Sequence, residues 1–196
     1  METKTTTKTY KLLLQTAKKL FWKDGIYAVS VEEICKVADV SKMTFYRYFK
    51  NKDEIAEAVI DTLIDKGIKK YRSIMQSDVH FEIKAKELIR YKYKEIKGIS
   101  AVFIDDVYGR ERHSALSEKM QTNRIAMQQE MLQDFKKAQD KGEIDRALNL
   151  DFILFMLNDL NGKFFNKELR ALFKNEEAFI KQLNQFFFYG IAIQKA

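Results

Sequence analysis

The chain contains no proline, and only seven of its 196 residues are glycine. Proline interrupts helices and glycine marks tight turns, so a chain poor in both favours long helices over a turn-rich β fold. The expected class is all-α. The length suffices for a real core, and 46% hydrophobic with 13% aromatic residues excludes a disordered chain. No apolar run approaches the ~18 residues of a membrane span. The start METKTTTKTYKLLL lacks the apolar region of a signal peptide. A cytoplasmic location is expected. One cysteine, Cys35, excludes an internal disulfide or a cysteine-based metal cluster within one chain.

Charge divides the chain. Residues 1–52 carry 11 Lys and Arg against 5 Asp and Glu, while residues 53–196 carry 24 against 23. Nearly all of the net +7 therefore sits in the first quarter. A basic end on a near-neutral body predicts a polyanion-binding module at 1–52 carried by a second module at 53–196. A solvated lysine-rich face is the alternative that charge alone leaves open.

Periodicity and capping place the helices. Leu13, Ala17, Leu20 and Phe21 share one face of a helix from about Thr7 to Lys23, closed by Gly25. Ser30 and Glu33 form an S-x-x-E capping box opening a second helix. After the turn ADV, Ser41 caps a third, with Phe45 and Phe49 turned inward, and Asn51 caps a fourth. Further helices are expected over Phe81–Lys97, in SAVFIDDVYG, over Arg112–Asp140, over Asp151–Phe173, and from Asn175 to about Ala192.

Two short helices, a tight turn and a basic second helix make a helix-turn-helix. The second helix of such a unit enters the major groove with its N-terminal side chains at base edges. Here those are Lys42, Met43 and Thr44. Lys42 can donate to guanine or phosphate, and Met43 and the Thr44 methyl suit a thymine methyl. Tyr46, Arg47 and Tyr48 can reach phosphates on either side. Lys52, Ser30 and Ser41 stand at helix starts, where free N–H groups favour a phosphate.

The run TAKKLFWKDGIYAVSVEEICKVADVSKMTFYRYFKNKDEI resembles the N-terminal DNA-binding domain of the TetR family of bacterial transcriptional repressors. Residues about 9–60 carry the match, and VSKMTFYRYFKNKDEI is its most specific part. Many members have His where this chain has Tyr48. Beyond residue 60 only the helical layout matches. The resemblance implies a three-helix DNA-binding domain at 1–52 and an effector-binding and dimerisation domain at 53–196. It implies a dimer on a pseudo-palindromic double-stranded operator, released when a small molecule binds the second domain. The helix from about Asn51 to Met75 would transmit that change.

Outside that motif the signals are coarser. Nine of the fifteen Phe fall in residues 142–196. Phe179, Leu183 and Phe186 share one face of the last helix, with Phe187 and Ile191 on an adjoining one. A second apolar face predicts a partner helix and hence a homodimer; a single buried helix is the alternative. Tyr91, Phe103, Asp106, Tyr108, Met127, Met131, Phe155, Asn158 and Phe165 are candidates for an effector pocket, although such stripes are more often ordinary core. They suit a mostly apolar or aromatic ligand. His80 and His113 lack ligand spacing, and no triad, phosphate loop or nucleophile elbow is present. No metal, cofactor or enzymatic activity is expected. The competing function is a ligand- or protein-binding sensor with a vestigial helix-turn-helix.

Overall fold

The protein is described by a computed structural model covering residues 7–96, 98–108, 115–163, 166–175, 178–179, 181–183 and 185–186. Among these the regular elements are helices, with no strand. They are α1 (Lys8–Asp24), α2 (Val31–Ala38), α3 (Lys42–Tyr48), α4 (Lys52–Met75), α5 (Phe81–Ile96), α6 (Ala101–Tyr108), α7 (Ala115–Asp140), α8 (Leu150–Lys163) and α9 (Lys167–Ala171).

Contacts divide the chain into two compact units. One takes residues up to Gly67 with Gly98–Gln121, and the other takes Ile68–Lys97 with the chain from Thr122 onward. The boundary expected at residue 52 falls inside the first unit. Net charge falls away there, but packing does not. Ile55, Ala56, Val59 and Ile60 from the first half of α4 are buried in the same core as Leu13, Phe21, Ile34 and Phe45. Phe103 and Val107 of α6 complete that core from far along the chain.

The short helices of the first unit are fixed by their caps. The side chains of Thr7, Ser30 and Ser41 accept from the backbone N–H of Tyr10, Glu33 and Thr44. Each satisfies one of the donors that a helix start leaves free. Asn51 does the same for Glu54 N–H at 2.9 Å at the start of α4. The Glu54 carboxylate reaches back to Lys50 N–H.

The second unit has its own core of Phe81, Ala85, Phe135, Ala138, Ile144 and Ile153. Phe81 and Phe135 meet edge to face at 5.4 Å. Buried Gln139 donates to the carbonyls of Asp145 and Leu148, both at 2.9 Å. These bonds hold the turn between α7 and α8 and leave the amide nitrogen satisfied. The single helix expected over 151–173 is two, α8 and α9. Asn166 caps α9, accepting from Leu169 N–H at 2.8 Å; an asparagine that bonds the backbone ahead of it starts a helix better than it continues one. Asn175 accepts from Ala178 N–H at 2.9 Å, as a cap on the expected last helix would, and Phe187 and Ile191 lie outside the described residues. No helix among the described residues is long and apolar enough to cross a membrane.

Candidate DNA-reading site

α3 is oriented by its buried side. Phe45 and Phe49 lie in the core with rings 5.7 Å apart, and Phe49 stacks on Tyr10 of α1 at 5.1 Å. Fixing that side turns Lys42, Met43, Tyr46 and Arg47 outward. Met43 is 78% exposed and Tyr46 54%. Tyr46 touches the buried Phe45 ring edge to face at 5.4 Å, but most of its surface and that of Met43 stays outside this core. The two offer an apolar contact and a hydroxyl to a surface outside the chain.

The other predicted DNA-contacting residues are more engaged. Ser30 and Ser41 are exposed but spend their hydroxyls as caps. Thr44 is half-buried, with its hydroxyl 3.0 Å from that of Ser41. Tyr48 is half-buried, its ring packed on the core 6.2 Å from Tyr10. Lys52 donates from Nζ to the Tyr27 carbonyl at 2.9 Å and lies 6.0 Å above that tyrosine's ring. Lys42 pairs with Glu32 of α2. The hydrogen bond from Lys42 holds the Glu32 carboxyl below its ordinary range, and the same bond raises the Lys42 ammonium. Cys35 is buried and its thiol is pushed up, first by burial and then by the Glu32 charge, which fits core filling rather than reactivity.

Two contributors were not legible as such in the sequence. Glu32 carries no local signal, because its partner is ten residues away on another helix. Asp106 is expected from the sequence as a candidate for the effector pocket. Its Oδ2 accepts from Ile26 N–H at 2.7 Å and Tyr27 N–H at 3.3 Å, in the turn between α1 and α2. Beside it, Ser100 N–H donates to the Trp22 carbonyl at 2.8 Å and Phe103 packs 4.6 Å from the Trp22 ring. Asp106 and Phe103 thus serve the head that carries α3 rather than a pocket of the second unit.

The remaining described pocket candidates do not line the groove of the second unit. Tyr91 and Met127 are half-buried, Met131 packs on the core of the second unit, and Phe155 and Asn158 are exposed. The Tyr108 side chain and Phe165 lie outside the described residues. That groove, of ≈ 680 Å³, is lined by charged groups, among them Arg72, Lys84, Glu130 and Lys137, together with apolar Met75 and Phe81. Among the predicted dimer residues, Phe179 is buried against Phe173 at 5.2 Å and so belongs to its own chain's core. Leu183 is half-buried and Phe186 is 77% exposed. No group of three or more His, Cys, Asp or Glu among the described residues is placed to hold a metal.

An all-α chain with a capped helix-turn-helix and an outward-facing recognition helix falls in the class of DNA-binding transcriptional regulators. Residues 13–59 match the family model of bacterial regulatory proteins, tetR family. The HTH-type transcriptional regulator UidR of Escherichia coli (strain K12) is 24% identical over 148 residues, covering 76% of this chain and 75% of that one. The fold matches the fatty acid degradation regulator FadR from Bacillus halodurans with a TM-score of 0.74, at 20% identity over 94% of this chain and 96% of that chain. It matches E. coli NemR in its reduced form with a TM-score of 0.75, at 15% identity over 97% and 100% of the two chains. Residues 13–59 thus carry a DNA-binding domain of the TetR type, on a chain whose overall fold matches these regulators.

Proposed function

We propose that this regulator is a repressor that binds a pseudo-palindromic operator as a homodimer and is released by a small molecule bound in its second unit. The outward face of α3, with Lys42, Met43, Tyr46 and Arg47 exposed over a fixed aromatic base, is the observation that carries the DNA-binding part. A sensor with a vestigial reader would have no use for it. Phe152 and Phe155 on α8, and Phe186 beyond it, supply exposed aromatic surface suited to a second copy. The groove of the second unit, with Met75 and Phe81 beside charged groups, does not by itself define the effector's chemistry.

The test is titration into labelled DNA from the upstream region, beside a scrambled duplex of equal length, at two salt concentrations. Tight binding to the native sequence alone is the expected result. Substituting Tyr46 and Lys52 together should abolish the preference. Survival of sequence-specific binding in that double variant at moderate salt would remove α3 and the start of α4 as the docking surface. Equal, strongly salt-dependent binding to both duplexes would show phosphate attraction alone.

A further inference from the structure

We propose that Glu32 is a positioning residue for DNA discrimination: by pairing with Lys42 it withholds the first charge of α3 from non-specific phosphates, an inference that rests on α3 being the DNA-reading helix. Glu32 is the second residue of α2 and Lys42 the first of α3, and Lys42 Nζ bonds Glu32 Oε1 across the two helices. Both side chains are more than half exposed, so the pair lies on the surface of the helix-turn-helix and not beneath it. Each partner shifts the other toward its charged form.

A carboxylate at the edge of a basic, phosphate-facing surface opposes binding by itself. Residues 1–52 carry 11 cationic against 5 acidic side chains, so the placement runs against the local trend. Its consequence depends on what Lys42 can exchange Glu32 for. Wherever Lys42 goes on the duplex it leaves an unpaired carboxylate close to a polyanion, and at a phosphate it gains only charge neutralisation in return. At a guanine edge, the N7 and O6 acceptors lie inside the groove, where a lysine donor gains a base contact. The pair therefore weakens indiscriminate attachment more than base reading. Tyr46, adjacent on the same face, and Lys36, exposed in the last turn of α2, remain available for backbone contact.

The experiment uses the full chain and a random-sequence duplex, with affinity measured across a salt series for wild type, Glu32→Gln, Lys42→Gln and the double variant. One further phosphate neutralised should steepen the slope of log K on log salt by about 0.9 in Glu32→Gln. Low-salt binding should tighten several-fold. In the Lys42→Gln background, Glu32→Gln should produce neither change. A slope unchanged in Glu32→Gln, with wild type binding normally, overturns the inference. The same steepening with and without Lys42 also overturns it, because Glu32 then acts by its own repulsion. A wild type that binds no duplex at low salt removes the DNA-reading assignment of α3 itself. Circular dichroism of each variant checks that the helices persist.

Discussion

The Asp106 carboxylate accepts the Ile26 backbone N–H at 2.7 Å across 80 residues of sequence. The bond is buried, and Gly25 makes room for it. A Cβ on Gly25 would stand 2.6 Å from Asp106 Oδ2 and 2.7 Å from Val102 Cγ1, at a φ of +87°. The turn between α1 and α2 is thereby fixed to α6, and its Tyr27 carbonyl in turn receives Lys52 Nζ at 2.9 Å. Asp106→Ala leaves the Ile26 N–H without its buried acceptor, which should cost about 1–3 kcal/mol. Asp106→Asn keeps an oxygen at the same place and should recover part of the loss. Trp22 is the sole tryptophan and lies in this unit, so its emission during urea unfolding reads the effect. Gly25→Ala should destabilise the same transition, and combining it with Asp106→Ala should fall short of the sum, because both disturb one contact.

The helix-turn-helix was legible because its information is local. Ser30, Ser41 and Asn51 announce helix starts within three residues, and Phe45 and Phe49 mark the inner side of α3 by spacing alone. The joins between distant segments carry no such signal. Nothing around Asp106 says that its partner is Ile26, or that Phe103 belongs to the core of α1 to α4. Phe155 and Phe179 look alike in sequence, yet one is exposed and the other buried. That outcome depends on tertiary packing that short-range periodicity does not encode. Charge and packing also divide the chain at different places, since α4 changes its charge environment well before it leaves the first core.

Gly67 sits inside α4, where a glycine costs helix stability through backbone entropy. A Cβ at this position would meet no atom within 4 Å. Gly67→Ala should therefore stabilise the protein by roughly 0.5–1 kcal/mol. The check is a thermal melt followed by helical circular dichroism. A lower midpoint in the alanine variant would mean that the folded protein needs the freedom of glycine here.

Tyr71 should make the second unit sensitive to alkali. Its hydroxyl donates to Asp134 Oδ2 at 3.0 Å, and burial, then the Asp134 charge, raise its pKa far above the ordinary 10.0. In the unfolded chain this proton leaves near pH 10, whereas in the folded chain it stays. Stability from Tyr71 is thus fully present below pH 10 and falls as pH rises beyond it. Tyr71→Phe should lose about 1 kcal/mol at neutral pH. The gap between wild type and variant should then narrow above pH 10 in denaturant midpoints measured across the pH series. A gap constant from pH 7 to 11 would show that the tyrosine ionises equally in both states.

The two kinds of aromatic residue in the C-terminal third predict opposite phenotypes. Phe152 and Phe155 stand one turn apart on α8 and are 56% and 69% exposed, so replacing them removes little from the core of a single chain. If this surface meets a second copy, Phe155→Glu should convert a dimer to a monomer in sedimentation, with helicity and Trp22 emission unchanged. Operator affinity should fall with it, because two half-sites would no longer be held by one assembly. Phe179 is buried against Phe173. Phe179→Ala should instead destabilise the second unit by about 3–5 kcal/mol, visible as an earlier unfolding transition at any protein concentration. A Phe155→Glu protein that remains dimeric would move the partner surface away from this face of α8.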